Sequence, residues 1–185
     1  MIEQSLTEAD DKMKKAIEAL RRELVSIRTG RAAPGLVDHL LVDYYSTLTP
    51  LNQLASITAP EVRLILIQPW DRSSLQAIEK AILKSDLGLN PSNDGQVIRL
   101  ALPQLTEERR KDLVKVVHKK VEEGRVSVRN VRRDAVDHLK KQEKDKLISA
   151  DDLHRTHEKL QKLTDKYIVE VDHVGQDKEA ELMEV

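Results

Sequence analysis

Residues 106–145 read TEERRKDLVKVVHKKVEEGRVSVRNVRRDAVDHLKKQEKD, and the spacing of the apolar side chains in this stretch decides the fold. Leu113, Val117, Val121, Gly124, Val128, Val131, Ala135 and Leu139 recur at steps of three and four, which places them on one stripe of an α-helix. Thr106 stands at the N-cap, and Glu107 and Glu108 put negative charge in the first turn, where the helix dipole favours it. About 39 residues at about 1.5 Å each predict a rod close to 60 Å long, more than a compact domain needs.

Two further helices flank this one. Ile2, Leu6, Ala9, Met13, Ile17, Leu20, Leu24 and Ile27 follow the same period, and the helix they form is expected to stop near Thr29-Gly30, with Pro34 and Gly35 close behind. Ser149 with Asp152 three residues on signals a new start. Leu153, His157, Leu160, Leu163, Tyr167, Val171 and Val174 then mark a buried stripe. Three long helices, joined by short connections except at one place, make an elongated antiparallel bundle.

Between the first two helices the period changes. Leu36 to Tyr45 is rich in β formers, and Ala55 to Ala59, Val62 to Ile67 and Val97 to Leu102 are further strand candidates. Asp71 caps a short helix from Arg72 to about Lys84, ended by the turn-rich Asp86 to Gly95. The expectation is an α+β protein: residues 1–30 with 105–185 form the bundle domain, and 31–104 form an inserted small β/α/β domain. Gly30, Arg31, Pro103 and Gln104 stand at the two crossings, and a double crossing with Gly and Pro favours a directed hinge over a floppy tether.

Composition removes several functions. With no Cys among 185 residues, thiol nucleophiles, disulfides and Cys-ligated metals cannot be built. The longest apolar runs, such as Leu64 to Ile67, fall far below the roughly 20 residues of a membrane span. The charged, amphipathic start lacks the apolar block of a secretory signal, so a cytoplasmic protein is expected. No G-x-S-x-G elbow and no Gly-rich phosphate loop occurs, which points away from an enzyme and from a bound cofactor. His154 and His157 share a helix face, but His157 falls on the apolar stripe and no H-E-x-x-H pattern surrounds them, so packing is the simpler reading and no metal is expected. Asp151 and Asp152 read as helix-start charges, and Trp70 as a packing residue beside Asp71.

Charge is more informative. Lys plus Arg (31) nearly balance Asp plus Glu (32), but residues 109–133 hold ten basic and three acidic side chains, whereas 170–185 hold one Lys and six acids. Lys111, Lys115, His118, Arg125, Arg129, Arg132 and Arg133 fall within about 100° of arc on the long helix, taking 100° per residue. A local basic face on a neutral protein suggests an anionic partner. The choice of Arg suits bidentate contact with phosphate, and the scarcity of aromatics disfavours single-strand stacking. Folded RNA, read through shape and backbone, fits such a rod. The alternative is a solvated face balanced by pairs such as Glu122 or Asp137 with Arg125 or Arg133.

Arg28-Thr29-Gly30-Arg31-Ala32, Asp86-Leu87-Gly88-Leu89-Asn90-Pro91, Leu105-Thr106-Glu107-Glu108-Arg109-Arg110-Lys111, Val128-Arg129-Asn130-Val131-Arg132-Arg133-Asp134-Ala135 and Gln161-Lys162-Leu163-Thr164-Asp165 closely resemble the bacterial ribosome recycling factor family, along the whole chain. The resemblance implies a three-helix bundle and a small β/α/β domain hinged in an L, similar in outline to transfer RNA. It further implies a monomer that enters the post-termination ribosome, holds large-subunit 23S rRNA through the bundle, and splits the subunits with elongation factor G and GTP. Hydrolysis of GTP would belong to that partner. Carried over by motif, Arg132 is the leading RNA contact, with Arg28, Arg31, Arg110, Arg129 and Arg133 in support. Lys111 and Arg125 join them from the basic face. After Tyr44-Tyr45 the family usually shows Gly and then Pro in its turn, whereas this chain has Ser46 and Leu48, an uneasy fit if φ is positive at Ser46. A helical scaffold, which would show little RNA dependence, and a hydrolase using Asp or His, which would act without ribosomes, are the rivals.

Overall fold

A computed structural model describes residues 1–184. Four α-helices and six strands follow in the order α1 (Ile2–Val25), β1 (Leu41–Tyr44), β2 (Thr47–Pro50), β3 (Ala55–Glu61), β4 (Leu64–Pro69), α2 (Leu75–Lys84), β5 (Pro91–Asn93), β6 (Ile98–Ala101), α3 (Glu107–Lys144) and α4 (Ala150–Met183). The chain divides into two compact units, one of Met1–Leu24 with Asp112–Ala180 and the other of Val25–Lys111 with the chain from Glu181 onward.

The first unit is a three-helix bundle. Lys120 of α3 pairs with Glu23 of α1 at 3.5 Å, while Gln142 Nε2 reaches the Met1 thioether at 3.7 Å, so α1 and α3 run antiparallel. His118 with Glu179, Arg125 with Asp172 and Arg132 with Gln161 show the same for α3 and α4. The core is aliphatic apart from Tyr167: Met13, Ile17 and Leu20 of α1, Val117, Val128 and Leu139 of α3 and Leu160 and Val171 of α4 are all buried. Each such side chain contributes about 1.5–3 kcal/mol of transfer free energy. Gly175 lets α4 approach α3, since a Cβ there would lie 2.4 Å from Val121 Cγ2.

Capping follows the sequence closely. The Thr106 hydroxyl accepts from the Arg109 N–H at 3.1 Å. Ser149 Oγ accepts from the Asp152 N–H at 3.0 Å while Asp152 accepts from the Ser149 N–H at 3.3 Å, a reciprocal capping box. The end of α1 departs from expectation, because the helix stops at Val25 rather than near Gly30. Leaving the helix early lets Arg28 donate through Nη2 to the carbonyl of Pro103, a tertiary bond that local propensity cannot anticipate.

The second unit holds a four-stranded antiparallel sheet, order β3-β4-β6-β5, and a separate β1-β2 hairpin. Ile65 and Ile67 on β4 and Ile98 and Leu100 on β6 alternate inward, and Ile78 and Ile82 of α2 cover them. The Asp71 carboxylate accepts from the Ser73 N–H at 2.9 Å, so the expected cap is present, on a 3₁₀ turn that leads into α2.

Three sequence expectations shift here. Only Leu41–Tyr44 of the first β-rich run is strand, because Pro34–Leu36 makes a 3₁₀ turn. Strand β2 was not among the candidates, and neither was β5, whose Pro91-Ser92-Asn93 carries no β former and is held by pairing to β6. Pro is tolerated there because β5 is an edge.

The β1-β2 hairpin turns through Tyr45 (φ 48°) and Ser46 (φ 63°), both left-handed, as a two-residue primed turn requires. An L-residue in this region costs about 1–2 kcal/mol, and glycine returns part of any gain as unfolded-state entropy. Ser46→Gly is therefore expected to stabilise the chain by roughly 0.5–1 kcal/mol in urea unfolding. A loss of stability would show that the Ser46 side chain is needed.

The β5-β6 turn carries its own pH dependence. Asp94 accepts from the N–H groups of Val97 (2.9 Å) and Gln96 (3.0 Å) and from Arg99 (3.1 Å). These bonds, the Val97 N–H first, lower its pKa from the ordinary 3.8 to about 2. Because the folded value is the lower one, the contribution of Asp94 is present above about pH 4 and lost as pH falls toward 2. A carboxylate NMR titration should give a midpoint near 2 for Asp94, and a midpoint near 3.8 would contradict the turn geometry.

Candidate nucleic-acid interface

Helix α3 is continuous from Glu107 to Lys144, so its 3.6-residue period carries the predicted basic residues along one side. Part of that face is neutralised. Arg125 donates through Nε to Asp172 at 2.8 Å and through Nη1 to Glu122 at 2.8 Å. These two carboxylates, Glu122 first, raise its pKa further. Lys111 lies 3.4 Å from Glu107 and His118 3.1 Å from Glu179, whereas Arg129, at the edge of this stretch, is 3.7 Å from a Glu122 carboxylate that Arg125 already engages at 2.8 Å. For this stretch the solvated, paired reading of the charge run holds.

Toward the C-terminal half of α3 the pattern changes. Val126, Arg129, Asn130, Arg132, Arg133, Val136, Asp137, Lys140 and His157 line an open groove of about 530 Å³. Arg132 donates through Nη1 to Gln161 Oε1 at 3.0 Å, while its Nε is buried without a hydrogen-bond partner. Arg133 donates to the side-chain oxygen of Asn130. Both partners are uncharged amides, and no carboxylate lies within ion-pair distance of Arg132, Arg133 or Lys140 among the described residues. The groove thus keeps its positive charge, which is what an anion-binding surface requires.

The remaining candidates lie in the second unit. Arg28 is engaged by the Pro103 carbonyl; burial and then Arg109 push its pKa below the ordinary value. Arg110 is only 8% exposed. Arg31 is exposed and sits 3.9 Å from Glu184. Gly30, Arg31, Pro103 and Gln104 also fall within this unit, inside the borders at Leu24–Val25 and Lys111–Asp112 rather than on them, and the Arg28 bond to Pro103 ties the two segments together.

Two readings are corrected. His157 does not fill the α4 stripe; it is exposed and lines the groove, and buried Thr156 takes the core position. Thr156 can do so because its hydroxyl donates to the Asp152 carbonyl at 2.7 Å, and Thr164 repeats the device on Leu160 at 2.7 Å. His154 pairs with Glu158 at 3.3 Å on the exposed face. Trp70 is 68% exposed rather than packed, because β4 sends Ile65, Ile67 and Pro69 inward and the following residue outward. Among the described residues, no helix is long and apolar enough to cross a membrane.

Residues 20–183 match the family model described as ribosome recycling factor. The chain belongs to the ribosome recycling factor family. The ribosome-recycling factor of Syntrophomonas wolfei subsp. wolfei is 57% identical over 185 residues, and that of Heliobacterium modesticaldum 59%, each alignment covering all of both chains. A solution structure of the ribosome recycling factor is similar with a TM-score of 0.78 at 47% identity, covering 100% of this chain and 98% of the other. A Thermus thermophilus ribosome recycling factor, described with E. coli elongation factor G bound to the E. coli post-termination complex, gives a TM-score of 0.67 at 47% identity over all of both chains. Membership of the ribosome recycling factor family accords with a helical bundle carrying a β domain, the α+β class read from the sequence.

Proposed function

We propose that this chain acts in the cytoplasm as a monomeric, non-catalytic translation factor that binds 23S rRNA of the large ribosomal subunit in the post-termination complex. With elongation factor G and GTP it then separates the subunits and frees the ribosome from its message. The observation that carries the reading is the groove on α3, where Arg132 and Arg133 are held by amides and left positive while Arg125 is neutralised. Guanidinium groups in that state suit the phosphate ribbons of folded RNA. The similar Thermus thermophilus factor, described with elongation factor G on a post-termination complex, supports the choice of partner. GTP hydrolysis is assigned to the elongation factor, since this sequence holds no Gly-rich phosphate loop.

Arg129, Arg132 and Arg133 are the leading contacts. Lys111 and Arg31 contribute at the periphery, and Arg125, Arg28 and Arg110 act through the bonds or packing that engage them. The crossings at Gly30-Arg31 and Pro103-Gln104 serve as the hinge. Light scattering of post-termination ribosomes tests the reading: the chain with elongation factor G and GTP should split them, and the chain alone should not. Gly30→Pro should slow splitting while large-subunit binding is retained. Splitting no faster than with the elongation factor alone would refute the function.

A further inference from the structure

The segment Gln161-Lys162-Leu163-Thr164-Asp165 lies in the middle of α4 and supplies the amide that holds Arg132. Gln161 Oε1 accepts from Arg132 Nη1 at 3.0 Å, and its Nε2 donates to Asp165 Oδ1 at 2.8 Å, one turn further along the helix. The amide can take only this orientation, because a guanidinium has nothing but donors and a carboxylate nothing but acceptors. The arrangement is a relay of Arg132, Gln161 and Asp165 in which a neutral group stands between the two charges. From it we infer that Gln161, itself fixed by Asp165, is the positioning residue that aims the Arg132 guanidinium into the α3 groove without cancelling its charge. This inference rests on the proposed binding of ribosomal RNA by that groove.

The contrast with Arg125 on the same helix shows what the amide achieves. Arg125 is oriented as firmly, but by Glu122 and Asp172, so its charge is satisfied within the protein. Arg132 needs orientation from outside its own helix, since its buried Nε has no partner and the bond to Gln161 is its hydrogen bond within the protein. An arginine stem has four rotatable bonds, and fixing them on contact with RNA would cost affinity. A fixed guanidinium avoids that cost. A carboxylate at position 161 would fix the guanidinium equally well and remove the positive charge from the groove.

The test is a double-mutant cycle on equilibrium binding to isolated large ribosomal subunits, with side-chain NMR as a readout independent of ligand. Gln161→Met preserves volume and removes both hydrogen bonds. It should weaken binding about tenfold in the native background and less than about twofold in the Arg132→Ala background, because coupling through one partner is what the cycle isolates. Gln161→Glu keeps the acceptor but adds the charge, and should weaken binding at least as much, flattening the slope of log affinity against log salt by roughly 0.7–0.9. Asp165→Asn, which retains an acceptor for Gln161, should keep more affinity than Asp165→Leu. In the free protein the Arg132 Nε–H order parameter should fall in Gln161→Met while that of Arg125 stays unchanged.

Equal losses in both backgrounds would mean that Gln161 acts on its own, and would overturn the positioning role. An unchanged Arg132 order parameter, or no loss of affinity in the native background, would overturn it as well. If the native chain binds and Arg132→Ala binds as tightly, the RNA reading of the groove fails, and the positioning role fails with it.

Discussion

Arg132→Ala is expected to lower affinity for isolated large ribosomal subunits about ten- to a hundredfold, in line with about 1.5–3 kcal/mol for a charge-assisted hydrogen bond to an anion. Arg125→Ala, about two turns away, should cost less than about threefold, because its charge is already balanced by carboxylates and screened over a Debye length. The two variants remove the same side chain from the same helix. They differ in what holds it: Gln161 for Arg132, and Glu122 with Asp172 for Arg125. Competition binding at one fixed salt concentration measures the ratio. Equal effects would mean that the groove responds to total charge alone, and the distinction between paired and unpaired arginines would lose its meaning.

Leu160→Ala should be the most damaging single change to stability, at about 2–5 kcal/mol. Leu160 is fully buried in a cluster with Ala9 of α1 and Val136 and Leu139 of α3, so one truncation opens a void where all three helices meet. The neighbours are themselves short and aliphatic, and no Phe exists anywhere in the chain to swing into the space. Urea unfolding followed by helical circular dichroism should show a lower midpoint with an unchanged slope. A loss under about 1 kcal/mol would mean that the bundle repacks freely around the site, contrary to the close packing described.

Much of this was legible in the sequence where the determinants are local. Thr106 and Ser149 announce the starts of α3 and α4 because capping is a matter of four consecutive residues. The arginine spacing on α3 survives for the same reason, since one unbroken helix fixes every angle between its side chains. What was not legible depends on a second element. Asp172 balances Arg125 and Glu179 bonds to His118 from α4, and nothing in the α3 sequence reveals which α4 residues face it. Pro91–Asn93 becomes a strand only because β6 offers it a partner. Thr156 displaces His157 from the core because its hydroxyl is satisfied by its own helix, so a residue that reads as polar packs as an apolar one. The signal available for Gln161 was its place in the motif, and its role emerges only when α3 is laid against α4.

The most direct test of the central claim is binding of the native chain and of an Arg129→Ala, Arg132→Ala double variant to isolated large ribosomal subunits across a salt series. The account predicts tight native binding that weakens steeply with salt. For the variant it predicts a lower affinity and a slope flatter by roughly 1.4–1.8, two phosphate contacts at about 0.7–0.9 each. Native and variant curves that coincide in affinity and slope would contradict the assignment of the α3 groove as the ribosomal anchor.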